Sequence, residues 1–265
     1  LVALILRITI MLIGHYNIII LPDSTADAVS FEREAWHLAQ FGFYYLIVDY
    51  NILSLNSQSI SWLIAIPYSL IGRSALMAKS ISLIFGIGII FLGWKVAKMI
   101  WSEKIAIKVA WMITLFPSLV MYSVLILREM YVCFFILLAT YGIVSLFKTK
   151  RKRSLLFIIL GFFGATFFHG AMILGGIVFT IILGVLFLKE IIQLLFNNIL
   201  NLRKVLIFFL ILIIPIYLIY GDVYFPYLGN YEKLINIENL FIQANNATRG
   251  NASFPDWLKI YSLSE

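Results

Sequence analysis

The sequence predicts an all-α polytopic membrane protein of about seven transmembrane helices. Hydrophobic residues make up 62% of the 265 positions and charged residues only 12%, whereas a soluble domain is about 45–50% apolar and about 25% charged. Several apolar runs approach the length of about 20 residues that a helix needs to cross a bilayer. These runs are continuous rather than alternating, which disfavours transmembrane strands.

The first apolar run, 1–21, predicts a transmembrane helix that ends beside two carboxylates, Asp23 and Asp27. Acidic side chains are costly near hydrocarbon, so carboxylates at a membrane face indicate a function or a structural need. Ser24 and Asp27 have the spacing of a helix capping box. We expect this segment to open an outer loop, 22–76, that carries surface helices.

Two short helices are predicted in this outer loop. Phe31, Ala35 and Leu38 recur at helical spacing and indicate an amphipathic helix over 24–40 that lies along the membrane surface. The run 60–72 has 13 residues, and apolar runs of about 10–14 residues rarely span a bilayer. We therefore expect a second surface or re-entrant helix there.

Six further apolar runs complete the predicted set of seven spans. They cover 77–94, 105–124, 125–147, 155–168, 171–188 and 205–220.

The basic residues between the spans predict the orientation of the chain. Most of them fall on one face, which should be cytoplasmic. The amino terminus is then inside the cell, and the outer loop and the tail 221–265 are outside. The residues on the basic face are Lys95, Lys98, Lys104, Lys108, Lys148, Lys150, Arg151, Lys152, Arg153, Lys189, Arg203 and Lys204.

Two domains are expected, a transmembrane domain over 1–220 and an extracytoplasmic tail over 221–265. The chain begins inside an apolar run and ends without a closing element, so we expect a fragment of a longer protein. The net charge of +7 is explained by the loops that orient the helices, and no nucleic-acid partner is expected.

Charged side chains collect at the predicted outer ends of the spans. A carboxylate there can accept a proton from an attacking hydroxyl group, and arginine or lysine can hold a phosphate. The alternative explanations are helix caps for the aspartates, snorkelling cations and interfacial charge pairs. The candidate residues are Asp23, Asp27, Arg73, Lys79, Arg128, Glu129 and His169.

The sequence does not favour a metal or another cofactor. Asp23 and Asp27 stand four positions apart without further acidic neighbours, and His15 and His37 have no partner at metal-ligand spacing. A divalent metal is therefore only an unsupported option.

The order of these parts resembles the polytopic glycosyltransferases of the GT-C fold, which use a sugar on polyprenyl phosphate. The resemblance is to the mannosyltransferase-like and lipid A sugar transferase-like members, and it covers about 1–188. It rests on Asp27-Ala-Val-Ser-Phe31 with Ala35, Trp62-Leu-Ile-Ala before Leu70-Ile-Gly72, Lys79 at the next span, and Pro117 with Tyr122-Ser123 before Arg128-Glu129.

The resemblance implies an inverting transfer of a sugar to a glycan or lipid acceptor of the cell envelope, in polysaccharide biosynthesis. It implies a multi-pass protein of the bacterial inner (plasma) membrane. Asp27 or Asp23 would be the base, and Arg128 with Lys79 would hold the donor phosphate. Ala28 and Phe31 replace an acidic residue and a tyrosine of the family pattern, so the choice between the aspartates is open.

Two other classes of function compete with the enzyme. A transporter or flippase, or a polymerase, would also handle lipid-linked oligosaccharides, and a structural or assembly protein would need no site at all. Convergence of the outer charges on one cavity would favour the enzyme, and their scatter around the perimeter would favour a structural role.

Overall fold

The computed structural model describes residues 1–22, 24, 27–49, 59–149, 153–172, 175–179 and 181–182. By its internal contacts the chain divides into two units, Leu1–Gly176 and Ile177–Glu265. The predicted span 205–220, the tail 221–265 and the predicted boundary between them lie outside the described residues.

Every regular element in the described part of the chain is helical, which confirms the all-α prediction there. Two short turns of π and 3₁₀ geometry cover Tyr45–Asp49 and Gly170–Met172. The α-helices are α1 (Val2–His15), α2 (Asp27–Ala39), α3 (Ser59–Ile71), α4 (Ala75–Ile100), α5 (Glu103–Leu115), α6 (Pro117–Tyr122), α7 (Arg128–Thr149) and α8 (Arg153–Phe168).

Two of these helices, α4 and α7, are long and apolar enough to cross a membrane. They have 26 and 22 residues, or about 39 and 33 Å at a rise of about 1.5 Å per residue, against a hydrocarbon core of about 30 Å. Shorter apolar helices are α1, α3 and α8. The prediction of a membrane protein is supported at this coarser level, and the full set of seven spans stays a prediction.

The first helix ends earlier than the predicted run 1–21. Helix α1 stops at His15, and Asn17 has a φ of 55°. The left-handed conformation is uncommon for residues other than glycine, but asparagine adopts it more readily than most, and it breaks the helix. The apolar residues Ile18, Ile19 and Ile20 therefore continue the run without continuing the helix, and all three are exposed.

The predicted single span 105–124 is instead two helices, α5 and α6. Phe116 between them is extended, with φ −65° and ψ 115°, as expected for a residue that precedes proline. Pro117 is the first residue of α6, and its ring nitrogen cannot donate to the carbonyl of Ile113 one turn earlier. The carbonyl groups at the end of α5 therefore need other donors.

Arg7 of α1 supplies those donors. Its guanidinium is fully buried and donates from Nη1 to the carbonyl of Thr114 at 3.2 Å and from Nη2 to the carbonyl of Ile113 at 3.5 Å. A cation is also favoured at a helix carboxyl end by the helix dipole. Arg7 thus joins α1 to the break that Pro117 creates.

The long helices share a common direction, which defines two ends of the first unit. Ser82 of α4 lies 3.0 Å from the Tyr131 hydroxyl of α7, and Lys95 further along α4 lies over the Tyr141 ring. Helices α4 and α7 are therefore parallel. Ser154 at the start of α8 donates to Ser145 near the end of α7, so α8 runs back.

We call the two ends the Arg73 end and the Lys98 end. The Arg73 end holds the starts of α4 and α7 and the ends of α6 and α8, whereas the Lys98 end holds the ends of α4 and α7 and the starts of α5 and α8. Lys98 forms an ion pair with Glu103 at the start of α5. The predicted outer residues Arg73, Arg128 and His169 all lie at the Arg73 end.

Helices α2 and α3 form a pair that packs at the Arg73 end. Ser61 of α3 donates to the carbonyl of Phe31 in α2 at 2.9 Å. The Trp62 ring of α3 meets the Phe167 ring near the end of α8 in an edge-to-face contact at 6.0 Å. The bounds of the two helices also agree with the predicted runs 24–40 and 60–72 to within a few residues.

The packing of α2 identifies what covers its apolar face. Helix α2 begins at Asp27, three residues after Ser24, and its apolar residues Phe31, Ala35 and Leu38 are buried. They belong to the same core as Ile60 and Ile64 of α3. The apolar face of α2 is thus covered by protein, so it is not the face that would insert among lipids.

Candidate functional site

A cavity of about 460 Å³ opens at the Arg73 end. Its walls come from the start of α2, the start of α4 and the segment that follows α6. The lining residues are Ser24, Ala28, Val29, Glu32, Arg73, Ala75, Lys79, Leu125 and Ile126. The site is mostly apolar with a few convergent charges, which is the usual character of a ligand site.

One wall carries a bidentate ion pair between α2 and the turn before α4. Arg73 donates from Nε to Oε1 of Glu32 at 2.9 Å and from Nη2 to Oε2 at 2.6 Å. The Tyr68 hydroxyl donates to Oε1 at 3.0 Å. Paired donors of this kind fix the orientation of a carboxylate as well as its charge.

The three groups shift one another's ionisation. The hydrogen bond from Arg73 lowers the pKa of Glu32, and burial of the carboxyl opposes that shift. The same bond raises the pKa of Arg73. Burial and the Glu32 charge raise the pKa of Tyr68. At neutral pH the site therefore contains a carboxylate, a guanidinium and a neutral phenol.

Lys79 is the second cation of the cavity. It lies one turn after Ala75 on α4 and is half-buried. Among the described residues, none forms a hydrogen bond or ion pair with its ammonium group. A half-buried ammonium without a carboxylate partner favours an anionic ligand.

The starts of two helices add to this positive potential. Ala28 lies in the first turn of α2 and Ala75 is the first residue of α4, and both line the cavity. The amino end of a helix carries partial positive charge and unpaired N–H groups, and this favours phosphate or carboxylate. The cavity can therefore hold an anion between Lys79, Arg73 and the two helix starts.

The predicted site residues divide between this cavity and a second group. Lys79 and Arg73 line the cavity. Arg128 and Glu129 instead form an ion pair at 3.8 Å. Burial, followed by the nearby Arg128 charge, lowers the pKa of His169, and the Glu129 charge opposes this. These three residues belong to one cluster at the start of α7 and the end of α8, and none of them lines the cavity.

The structure describes only one of the two predicted bases, Asp27. Asp27 is exposed at the first position of α2, next to the lining residue Ala28, and does not line the cavity itself. Asp23 lies outside the described residues. Their catalytic role stays a prediction from the sequence.

Sequence reasoning missed Glu32 as a site residue, because neither its place at a predicted span end nor the family resemblance singled it out. The spacing of Ala28 and Glu32, four positions apart, puts both on one face of α2. Arg73 is 41 residues further along the chain, at the end of an unrelated apolar run. Only the packing of α2 on α3 brings the two charges together.

No three histidine, cysteine, aspartate or glutamate side chains come together within the described residues as a metal site would require. Comparisons of the chain with protein-family models, with curated proteins and with solved structures find no match.

Proposed function

We propose that the protein is a membrane glycosyltransferase that takes a sugar from polyprenyl phosphate and transfers it, with inversion, to a cell-envelope glycan or lipid. The observation that carries the proposal is the cavity at the Arg73 end. It brings the ammonium of Lys79, which has no ion-pair partner in the described part of the chain, and the guanidinium of Arg73 to the same cavity as the carboxylate of Glu32. Two cations suit the phosphate of a donor, and a carboxylate suits an acceptor hydroxyl group.

The position of the cavity favours a lipid-linked phosphate over a soluble one. It lies at the amino end of α4, one of the two helices that are long enough to cross a membrane. The end of a span lies at the depth of lipid phosphate groups, beside the hydrocarbon. Val29, Leu125 and Ile126 give the cavity apolar walls that an isoprenoid chain can contact.

The charges of the two ends favour an extracytoplasmic cavity. Lys95, Lys98, Lys104 and Lys148 lie towards the Lys98 end, and an excess of lysine and arginine is typical of cytoplasmic loops. In this proposal the Lys98 end faces the cytoplasm of a bacterial cell, together with the amino terminus. The seven spans and the GT-C layout belong to the same proposal.

The decisive variant is Lys79→Met, with Lys95→Met as its matched control. Both lysines are half-buried on α4, and they stand sixteen positions or about 24 Å apart along the helix axis. We expect Lys79→Met to bind polyprenyl phosphate about 10–100-fold more weakly, because a hydrogen bond between charged groups contributes about 1.5–3 kcal/mol. Lys95→Met should bind as the wild type does.

The transfer reaction is tested separately with a panel of radiolabelled polyprenyl-phosphate sugars. We expect the wild-type protein in membranes to release polyprenyl phosphate and to label an acceptor. Binding without transfer from any donor would favour a flippase or transporter. Equal binding by the wild type and the Lys79→Met variant would remove the phosphate site and with it the proposal.

A further inference from the structure

Arg73 is placed so that it can contact either of two anions. Its guanidinium has five N–H donors, of which Glu32 accepts those on Nε and Nη2. About half of the Arg73 side chain is exposed, against 13% for Glu32. The arginine is thus the more exposed partner of the pair, and it also lines the cavity in which no described carboxylate pairs with Lys79.

We propose that Arg73 leaves Glu32 for the donor phosphate when the lipid binds, and that the released Glu32 is the base that deprotonates the acceptor. The inference rests on the proposed function and deepens it, because it assigns a catalytic residue and the event that activates it. It also selects a carboxylate that neither the motif pattern nor the capping box indicated.

The contacts of Glu32 identify the atom that would take the proton. Tyr68 holds Oε1, whereas Arg73 contacts both Oε1 and Oε2. After Arg73 leaves, Oε1 keeps its hydrogen bond from Tyr68, so the carboxylate stays oriented. Oε2 loses the Arg73 contact and becomes an available acceptor.

The departure of Arg73 also changes the strength of the base. The Arg73 hydrogen bond is the largest of the effects that lower the pKa of Glu32, and burial raises it. Loss of that bond therefore raises the pKa and makes the carboxylate a stronger base. Phosphate binding and base activation are then two consequences of one movement.

The chemical step conserves atoms and charge. The acceptor oxygen forms a bond to the anomeric carbon as its proton passes to Oε2 of Glu32. The bond from the anomeric carbon to the phosphate oxygen breaks, and its electron pair stays on polyprenyl phosphate. Lys79 and Arg73 hold that leaving group, whose negative charge increases as the bond breaks.

Glu32→Gln separates the two roles, because glutamine fills the same space without the charge. The substitution ends the competition for Arg73, so we expect polyprenyl phosphate to bind about two- to five-fold more tightly, as suits the loss of an exposed ion pair. Transfer should fall about 10²–10⁴-fold, the usual effect of removing a positioned base. Glu34→Gln on the same helix, outside the cavity lining, is the matched control.

A second variant guards against a folding defect. Arg73→Gln removes the phosphate contact, so it should bind polyprenyl phosphate more weakly than the wild type. A loss of structure would weaken binding in both variants, whereas the proposed exchange moves the two affinities in opposite directions. Unchanged binding by Glu32→Gln would overturn the exchange, and so would weaker binding by a Glu32→Gln variant that unfolds at the wild-type temperature.

The outcomes for the two proposals are distinct. If the wild type binds and transfers but Glu32→Gln transfers at a similar rate, Glu32 is not the base and the glycosyltransferase proposal stands. If the wild type does not bind polyprenyl phosphate, or binds it without any transfer, the proposed function fails and the role of Glu32 fails with it.

Discussion

Arg7 is a buried cation that donates hydrogen bonds to carbonyl groups at the break between α5 and α6. Its guanidinium is fully buried and contacts the carbonyl groups of Ile113 and Thr114. No described residue forms a hydrogen bond with its Nε atom. Removal of this side chain would leave the two carbonyl groups at the end of α5 without their donor, and a buried acceptor without a donor is costly.

We therefore expect Arg7→Met to destabilise the packed protein by about 1–3 kcal/mol, the usual result of leaving buried acceptors without a donor. Thermal unfolding of the purified protein in detergent measures the change. The Arg7→Lys variant should be destabilised less than Arg7→Met, because lysine keeps the charge and some of the hydrogen-bond donors.

Lys108→Met is the control for that measurement, because it also replaces a cation by methionine but at an exposed position of α5. This substitution should change the free energy of unfolding by no more than about 0.5 kcal/mol. A variant Arg7→Met that unfolds at or above the wild-type temperature would show that the buried charge costs more than its contacts contribute.

The sequence predicted the two cations of the candidate site but not its carboxylate. Lys79 and Arg73 stand at the start of a long apolar run, where a cation signals a span end, and both line the cavity. Glu32 carries no such local signal, because its role depends on contacts with Tyr68 and Arg73 from distant parts of the chain. Hydropathy and periodicity describe one helix at a time, so they cannot pair charges on different helices.

At the scale of the elements, small residues set how closely α7 and α8 approach. A Cβ atom added to Gly161 would lie 2.5 Å from the backbone nitrogen of Ala139. One added to Gly142 would lie 2.8 Å from the backbone nitrogen of Ile158. The backbones thus meet where each helix has no side chain, as is common in membrane helix pairs.

Gly161→Ala should therefore separate these helices and destabilise the protein by about 1–3 kcal/mol, the usual range for overpacking. The methyl group meets backbone atoms, which cannot rotate away as a side chain can. Thermal unfolding in detergent is again the measurement.

Gly175→Ala tests whether any added methyl group has this effect. The nearest atom to its Cβ would be the Phe162 ring at 3.4 Å, an ordinary contact. Gly175 has helical backbone, and alanine is the better helix former, so this variant should unfold at the wild-type temperature or slightly above it. Equal losses of stability in the Gly161→Ala and Gly175→Ala variants would contradict the explanation by close helix packing.

The helices themselves followed from the sequence more closely than their ends did. The short apolar run 60–72 predicted α3, and the spacing of Phe31, Ala35 and Leu38 predicted the buried face of α2. The end of α1 depends on the left-handed conformation of Asn17 within an apolar run. Apolar composition does not encode such a turn, so the first run was predicted too long.

At the scale of the molecule, the helix directions and the charges agree. Arg73, Arg128 and His169 share one end of the first unit, whereas Lys98, Lys104 and Lys148 lie towards the other. The directions follow from contacts between helices and do not use the charge pattern. The prediction that Arg73, Arg128 and His169 share one side of the membrane therefore has a geometric basis, while the identity of that side rests on the charges.

Cysteine labelling can assign the two sides. The native Cys133, which is exposed on α7, is first replaced by alanine. Ser30 on α2 and Ser102 before α5 are both exposed and lie towards opposite ends, so each is changed to cysteine in turn. In intact cells we expect a membrane-impermeant maleimide to label Ser30→Cys and to leave Ser102→Cys unlabelled, because the basic Lys98 end should face the cytoplasm.

Permeabilised cells provide the control, since both cysteines should then react and so prove to be accessible. Labelling of Ser102→Cys alone in intact cells would invert the orientation and place the cavity in the cytoplasm, where the donor and acceptor of the proposed reaction would have to be found instead. Labelling of both cysteines in intact cells would mean that the two ends do not lie on opposite sides of a bilayer. The parallel course of α4 and α7 would then describe a helical core rather than two crossings of a membrane.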